Sequence, residues 1–306
     1  MSESSICIKK GNSPIGVRLE GIDLRKPLSG AEVLLIEQLL YSHSVLAISD
    51  QNLDVPAWRA FCMYLGPLHR NATSPFHVRD YPEIMVLSNK RNPDGSQVGA
   101  LDAGQDWHTD MSYNAEPGKF TALHALDVPM RDGQPLGDTQ FCDMYAAYAA
   151  LPAEVRERID GAWALHDFHK YFDEAIRRGS TRPPLTPEQR AKRPPVRHPM
   201  VGRHPVTGRK FLYADPGYTV SIEGWSAAES QRMLDDLFEF QLRPEFLYRH
   251  RWRRGDVLLW DNWSTIHKAT ADYGPTEYRH MIRAQINAFE PQGMMSFAAL
   301  DTSVPA

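Results

Sequence analysis

Strand-forming runs gather towards the two ends of this chain and helix-forming runs fall between them, the pattern of one mixed domain built on an antiparallel sheet with helical decoration. Near the amino end, IGVRLEGIDL (15–24) alternates loosely as a strand, and SVLAIS (44–49) is a compact buried strand. Between them SGAEVLLIEQLLYSH (29–43) has helical spacing with Ser29 placed to cap it, and residues 55–65 read as a helix ending at Gly66. EIMVLSN (83–89), FTALHAL (120–126) and DTQFCDM (138–144) read as strands, and residues 145–164 as mostly helix. In WSAAES, Ser226 stands three residues before Glu229, a capping box that opens a helix over 226–241. RHRWRRGDVLLWDN reads as strand, Gly-Asp turn, strand, and RHMIRAQINAF (279–289) alternates as a last strand.

A chain of 306 residues, 42% of them hydrophobic, can bury a sizeable core, and no internal repeat divides it; a single domain over 1–306 is expected. The net charge of −4 supplies no basic field for nucleic acid or a membrane surface. There is no long apolar run, and MSESSICIKKGNSP lacks the apolar stretch of a secretory signal, so a cytoplasmic location is expected. Cys7, Cys62 and Cys142 have no metal-type spacing and suit reduced thiols; any metal would then be held by imidazole and carboxylate. Residues 177–210 carry ten Lys and Arg against the single acid Glu188, with many prolines, and read as an extended insertion or lid with little order. Without interleaved aromatics, that run does not make a nucleic-acid surface.

Of the twelve histidines, only His108 is followed two residues on by an acid, in QDWHTDMSYN (105–114). On an extended segment residues i and i+2 share a face, so His108 and Asp110 can offer one nitrogen and one carboxylate oxygen to a single ion. Taken alone the triplet is equally a turn or a helix cap. A second imidazole would complete the two-His, one-carboxylate set of non-haem Fe(II) oxygenases, which leaves three coordination positions open. DVLLWDNWSTIHKATADYGPTEYRHMIRAQI (256–286) supplies one: His267 follows an apolar strand and a turn, Arg279 lies twelve residues on, and Arg283 four beyond that. Residues four apart on a strand share a face, so both guanidiniums could aim into one cavity and grip a dicarboxylate co-substrate.

These residues, with GDT (137–139), HDF (166–168), HPVTGRKFLY (204–213), EGWSAAES (223–230) and WDN…H…DY…R…R (260–283), occur in order across nearly the whole chain, and the sequence resembles the taurine dioxygenase (TauD/TfdA) family of Fe(II)- and 2-oxoglutarate-dependent dioxygenases. The resemblance implies a double-stranded β-helix, or jelly roll, core with flanking helices. It implies His108, Asp110 and His267 as iron ligands, Thr139 and Arg279 as the grip on the distal carboxylate of 2-oxoglutarate, and Arg283 facing the acidic group of the substrate or the iron site. O2 is the remaining co-substrate, a homo-oligomer (dimer or tetramer) the expected assembly, and a small anionic organic molecule the expected partner.

In the substrate pocket this chain departs from the taurine enzymes. Their sulfonate-binding histidine corresponds to Asn71 in LGPLHRNATSPF, the asparagine before their metal motif is replaced within AGQDW, and Trp263 stands where they have arginine. Met111, Tyr113, Phe168 and Tyr218 fall at positions that face substrate in relatives, giving a partly apolar, aromatic wall. The implied reaction is C–H hydroxylation with release of succinate and CO2; desaturation or another outcome without rebound, a non-catalytic metal or anion-binding module, and a zinc hydrolase stay open as alternatives. The carboxylate at 110 argues against halogenation, which needs that place for chloride.

Overall fold

The computed structural model describes residues 6–70, 75–180 and 183–288. Eight strands form a sheet in the order Cys7–Lys10, Val17–Glu20, Val45–Ile48, Val257–Asp261, Gly118–Asp127, His280–Asn287, Tyr81–Ser88, His77–Val78. Every pairing in it is antiparallel except that of Val17–Glu20 with Val45–Ile48. A second sheet of three antiparallel strands, Leu247–His250, Thr139–Asp143 and Thr265–Ala269, faces it.

Alternation along the strands sorts side chains into layers. In Val257–Asp261, Val257 and Leu259 join Trp58, Phe61, Ile36 and Leu40 from helices Val55–Met63 and Gly30–His43 on the outer face of the large sheet. Leu258 and Trp260 point the other way and meet Phe141 of the small sheet. On the small sheet Cys142 and Ile266 turn outward to helices Met144–Ala150 and Ala227–Gln241, while Phe141 and His267 turn inward. The space between the sheets is therefore reached by His267 from one side, and by Thr121 and Arg283 of the large sheet from the other.

Local signals placed the helices well. Ser29 and Ser226 each close a capping box, and Asp54 caps Val55–Met63, which stops just before Gly66. Residues 145–164 are not one helix. Met144–Ala150 ends before Pro152, Ala153–Ile159 follows, and Gly161 at φ +78° turns the chain into strand Trp163–His166. Strands Leu247–His250 and Val257–Asp261 flank the expected Gly-Asp turn but lie in different sheets, so the turn crosses between layers. The basic segment also carries regular structure: helix Pro187–Ala191 and strands Val196–Pro199, Val201–Arg203 and Lys210–Leu212. Four of its cations pair with acids outside the segment, Arg178 with Asp106, Arg190 with Asp173, Arg197 with Glu223 and Lys210 with Asp160.

Candidate active site

His108 and His267 meet across an isolated antiparallel bridge, each backbone N–H donating to the other's carbonyl at 3.0 and 2.8 Å. Their rings lie 4.2 Å apart. The chain then turns, with Met111 at φ +66°, so that Asp110 sits on a turn rather than a continuing strand. The three side chains converge nonetheless: one ligand atom from each of His108, Asp110 and His267 lies within 4.8 Å of the others, and all three residues are buried.

The orientation of each ligand follows from its other contacts. Nδ1 of His108 lies 2.7 Å from the carbonyl of Asp106, which can only accept, so Nδ1 carries the proton and Nε2 presents its lone pair. Oδ2 of Asp110 accepts from the Thr121 hydroxyl at 2.8 Å, and Thr121 accepts in turn from the Asn262 amide at 3.1 Å. That leaves Oδ1 aimed between His108 Nε2 (3.7 Å) and a guanidinium nitrogen of Arg283 (3.5 Å).

Burial would raise the Asp110 carboxyl, but Arg283 and the two imidazoles outweigh it and hold the group ionised, well below the usual carboxylate range. His267 is driven the other way, first by burial and then by His108, and stays neutral. At His108 burial also lowers the pKa, yet Asp110 overcomes that and raises it, so the pocket favours a cation against Nε2. Two imidazoles and one carboxylate are a donor set that would suit a divalent first-row transition metal.

Beside this cluster lies a cavity lined by Ser88, Ala100, Gln105, Ala269, Tyr273 and Arg279. Arg279 is buried, its Nε meets no acceptor, and among the described residues no carboxylate pairs with it. A buried cation without a counter-ion is costly, so the donor set suits an anion arriving from solution. Gly137, at φ +73°, lets the backbone pass: a Cβ there would stand 3.2 Å from both Arg279 Cδ and the Tyr273 ring. Thr139 pairs in register with Ala269, and Phe141 with His267, so Thr139 shares the face of His267, two residues after the Gly137 that stands against Arg279. Both arginines reach the inter-sheet side: strand His280–Asn287 pairs with Tyr81–Ser88 in unbroken register over 280–284, with Ile282 and Ala284 on the outer face, Arg283 facing Asp110, and Arg279 lining the cavity with Leu87 and Ala100. The regular strand begins at His280, its pairing with Gly118–Asp127 skips Leu126 of that partner, and Arg279 is held just before it by two bonds to Asn89.

On the other side of His108 rises an aromatic wall. Tyr113 meets Phe168 at 5.0 Å and Tyr218 at 4.9 Å, and Tyr171 lies 5.4 Å from the His108 ring. Arg193 stands 4.5 Å over Phe168. Gly217 permits the close packing, since a Cβ there would meet His108 Cβ at 2.9 Å. Met111 is buried with its sulfur against Gly118. Asn71 lies outside the described residues. His69, two positions earlier, is half-buried, and its pKa is lowered by burial and then by Arg283 and Arg193, so it lies within the field of the site.

Sequence reasoning did not single out Thr121, Asn262, Tyr171 or the buried pair His204–Asp261 (2.9 Å). Asp261 also receives the backbone N–H of Trp263 and fixes the turn that leads to His267. The WDN and HPVTG motifs were visible signals; their partners, tens of residues away, were not.

The family described as "Taurine catabolism dioxygenase TauD, TfdA family" matches residues 8–285 of this chain. The chain is 34% identical over 259 residues to an alpha-ketoglutarate-dependent 2,4-dichlorophenoxyacetate dioxygenase of Cupriavidus pinatubonensis, covering 82% of this chain and 87% of that one. To an alpha-ketoglutarate-dependent sulfate ester dioxygenase of Pseudomonas putida it is 31% identical over 290 residues, covering 92% and 89%. Its fold matches the crystal structure of AAD-2 in complex with Mn(II) and N-oxalylglycine with a TM-score of 0.77 at 30% identity, covering 94% of this chain and 99% of that one. The chain belongs to the TauD/TfdA family of alpha-ketoglutarate-dependent dioxygenases. It is an enzyme of that kind, with its metal at the His-Asp-His cluster.

Proposed function

We propose that this protein hydroxylates a C–H bond of a small anionic organic substrate, with Fe(II) and 2-oxoglutarate (alpha-ketoglutarate), releasing succinate and CO2. The observation that carries the reading is the convergence of His108, Asp110 and His267 beside a buried arginine that no carboxylate among the described residues neutralises. Iron bound there supplies the oxidative decarboxylation of the keto acid and the activation of O2. The chain's own residues bind, orient and exclude water. His108 and His267 each give a nitrogen lone pair, and Thr121 turns one oxygen of Asp110 inward. Arg279 and Thr139 hold the distal carboxylate of 2-oxoglutarate; a charge-assisted contact of that kind is worth about 1.5–3 kcal/mol, or roughly ten- to a hundredfold in affinity.

The aromatic wall of Tyr113, Phe168 and Tyr218 is the substrate side, with Met111 contributing there and Arg283 facing the substrate's acidic group. The names of two relatives support an anion: one acts on 2,4-dichlorophenoxyacetate, the other on sulfate esters. The two facing sheets are read as a double-stranded β-helix within a single domain, and residues 183–210 as a segment that covers the wall, with Arg193 over Phe168.

The test is O2-dependent succinate release from 2-oxoglutarate by the Fe(II)-loaded enzyme, measured with panels of carboxylates, sulfonates, sulfate esters and phosphonates. Stimulation by at least one anion, and none by neutral or cationic analogues of the same size, is expected. Equal stimulation by neutral analogues would overturn the anionic reading.

A further inference from the structure

Thr139 is a small hydroxyl in a place where its direction matters, and it does not stand alone. Trp252 donates its indole N–H to Thr139 Oγ1 at 3.0 Å, and both residues are buried. An indole nitrogen can only donate, so one lone pair of the hydroxyl is committed and its own hydrogen must point elsewhere. The backbone of Thr139 is paired with Ala269 on one side and His250 on the other, which fixes the Cβ direction towards the inter-sheet space. Trp252 is itself fixed, edge-on to the His250 ring at 4.7 Å and packed in the cluster with Leu258, Trp260 and Phe141.

We infer that Trp252 is a positioning residue for the keto-diacid: its N–H sets Thr139 Oγ1 as a donor and turns the hydroxyl hydrogen towards the distal carboxylate beside Arg279. This inference rests on the proposed role of Thr139. Accepting from the indole also polarises the threonine O–H, which strengthens the bond it donates to an anion. Phenylalanine at 252 would fill much of the same space and remove the donor, freeing the hydroxyl to rotate.

The experiment is calorimetric titration of the Mn(II)-loaded full chain, without O2, with 2-oxoglutarate and separately with oxalate, which chelates the metal but has no distal carboxylate. Trp252→Phe should weaken 2-oxoglutarate about three- to tenfold and leave oxalate within twofold. Thr139→Ala should weaken 2-oxoglutarate at least as much, and adding Trp252→Phe to it should change affinity by less than twofold, because the two act through one contact. If Thr139→Ala weakens 2-oxoglutarate but Trp252→Phe does not, the positioning role is overturned while the Thr139 role stands. If Thr139→Ala has no effect, both fall. Equal loss of oxalate and 2-oxoglutarate on Trp252→Phe would mark a purely structural tryptophan and overturn the inference. Should Trp252→Phe fail to fold, the benzothiophene isostere of tryptophan at 252 keeps the ring shape, removes the N–H alone, and must give the same pattern.

Discussion

Asp110 is gripped on both oxygens, and that explains why a lone His-x-Asp triplet can serve as a metal clamp. Thr121 holds Oδ2 and Asn262 holds Thr121, so Oδ1 has one direction. Thr121→Val should lower affinity for Mn(II) about ten- to a hundredfold with little change in melting temperature, a range typical of outer-shell partners; a titration that leaves affinity unchanged would contradict the relay. The two arginines should separate in binding measurements. Arg279→Ala is expected to weaken 2-oxoglutarate about ten- to a hundredfold. Arg283→Ala should chiefly reduce substrate-dependent turnover, since its guanidinium faces Asp110 Oδ1; the reverse pattern would exchange their roles.

Acid should act on a different histidine. Burial pushes His198 down to about 4, and its Nε2–H donates to the Asn114 carbonyl at 3.0 Å. The folded chain keeps it neutral between that value and the ordinary 6.5, while the unfolded chain takes up a proton. Its contribution to stability is complete above pH 6.5 and is lost as pH falls towards 4, by up to about 3 kcal/mol. Asp215, raised to about 6 by burial, works in the opposite sense over part of that range. The relevant quantity is therefore the difference between wild type and His198→Gln in denaturant melts from pH 7 to 4.5, and parallel curves would refute it.

Turns do as much as strands to shape the site. Gly137→Ala places a methyl where Arg279 and Tyr273 already stand, on a backbone at φ +73°. It should destabilise the fold by about 1–3 kcal/mol and weaken 2-oxoglutarate, read by melting temperature and calorimetry together; normal values of both would remove the turn from the account. Elements set by local chemistry were legible in the sequence, as the two serine capping boxes and the strand over 120–126 attest. What escaped it was non-local or interrupted. Pro152 divided a run whose composition was helical. The order in the basic segment comes from acids far along the chain, Asp106, Asp160 and Glu223, which no window of sequence connects to it.

Across the whole molecule, the ligand residues were legible because the motifs occur in order; the wall of the pocket was legible only in part. Tyr171 reaches His108 from helix Phe168–Arg177, and Arg193 reaches Phe168 from a segment expected to be extended. Layering explains how distant residues meet: the small sheet turns His267 inward, the large sheet turns Thr121 and Arg283 to face it, and a tight connection carries His108 and Asp110 between them. The most direct measurement of that convergence is the visible charge-transfer band formed when Fe(II) and 2-oxoglutarate are added without O2. The account predicts the band in the wild-type protein and its loss in Asp110→Ala and His267→Ala variants that remain folded. A band of undiminished intensity in either variant would contradict it.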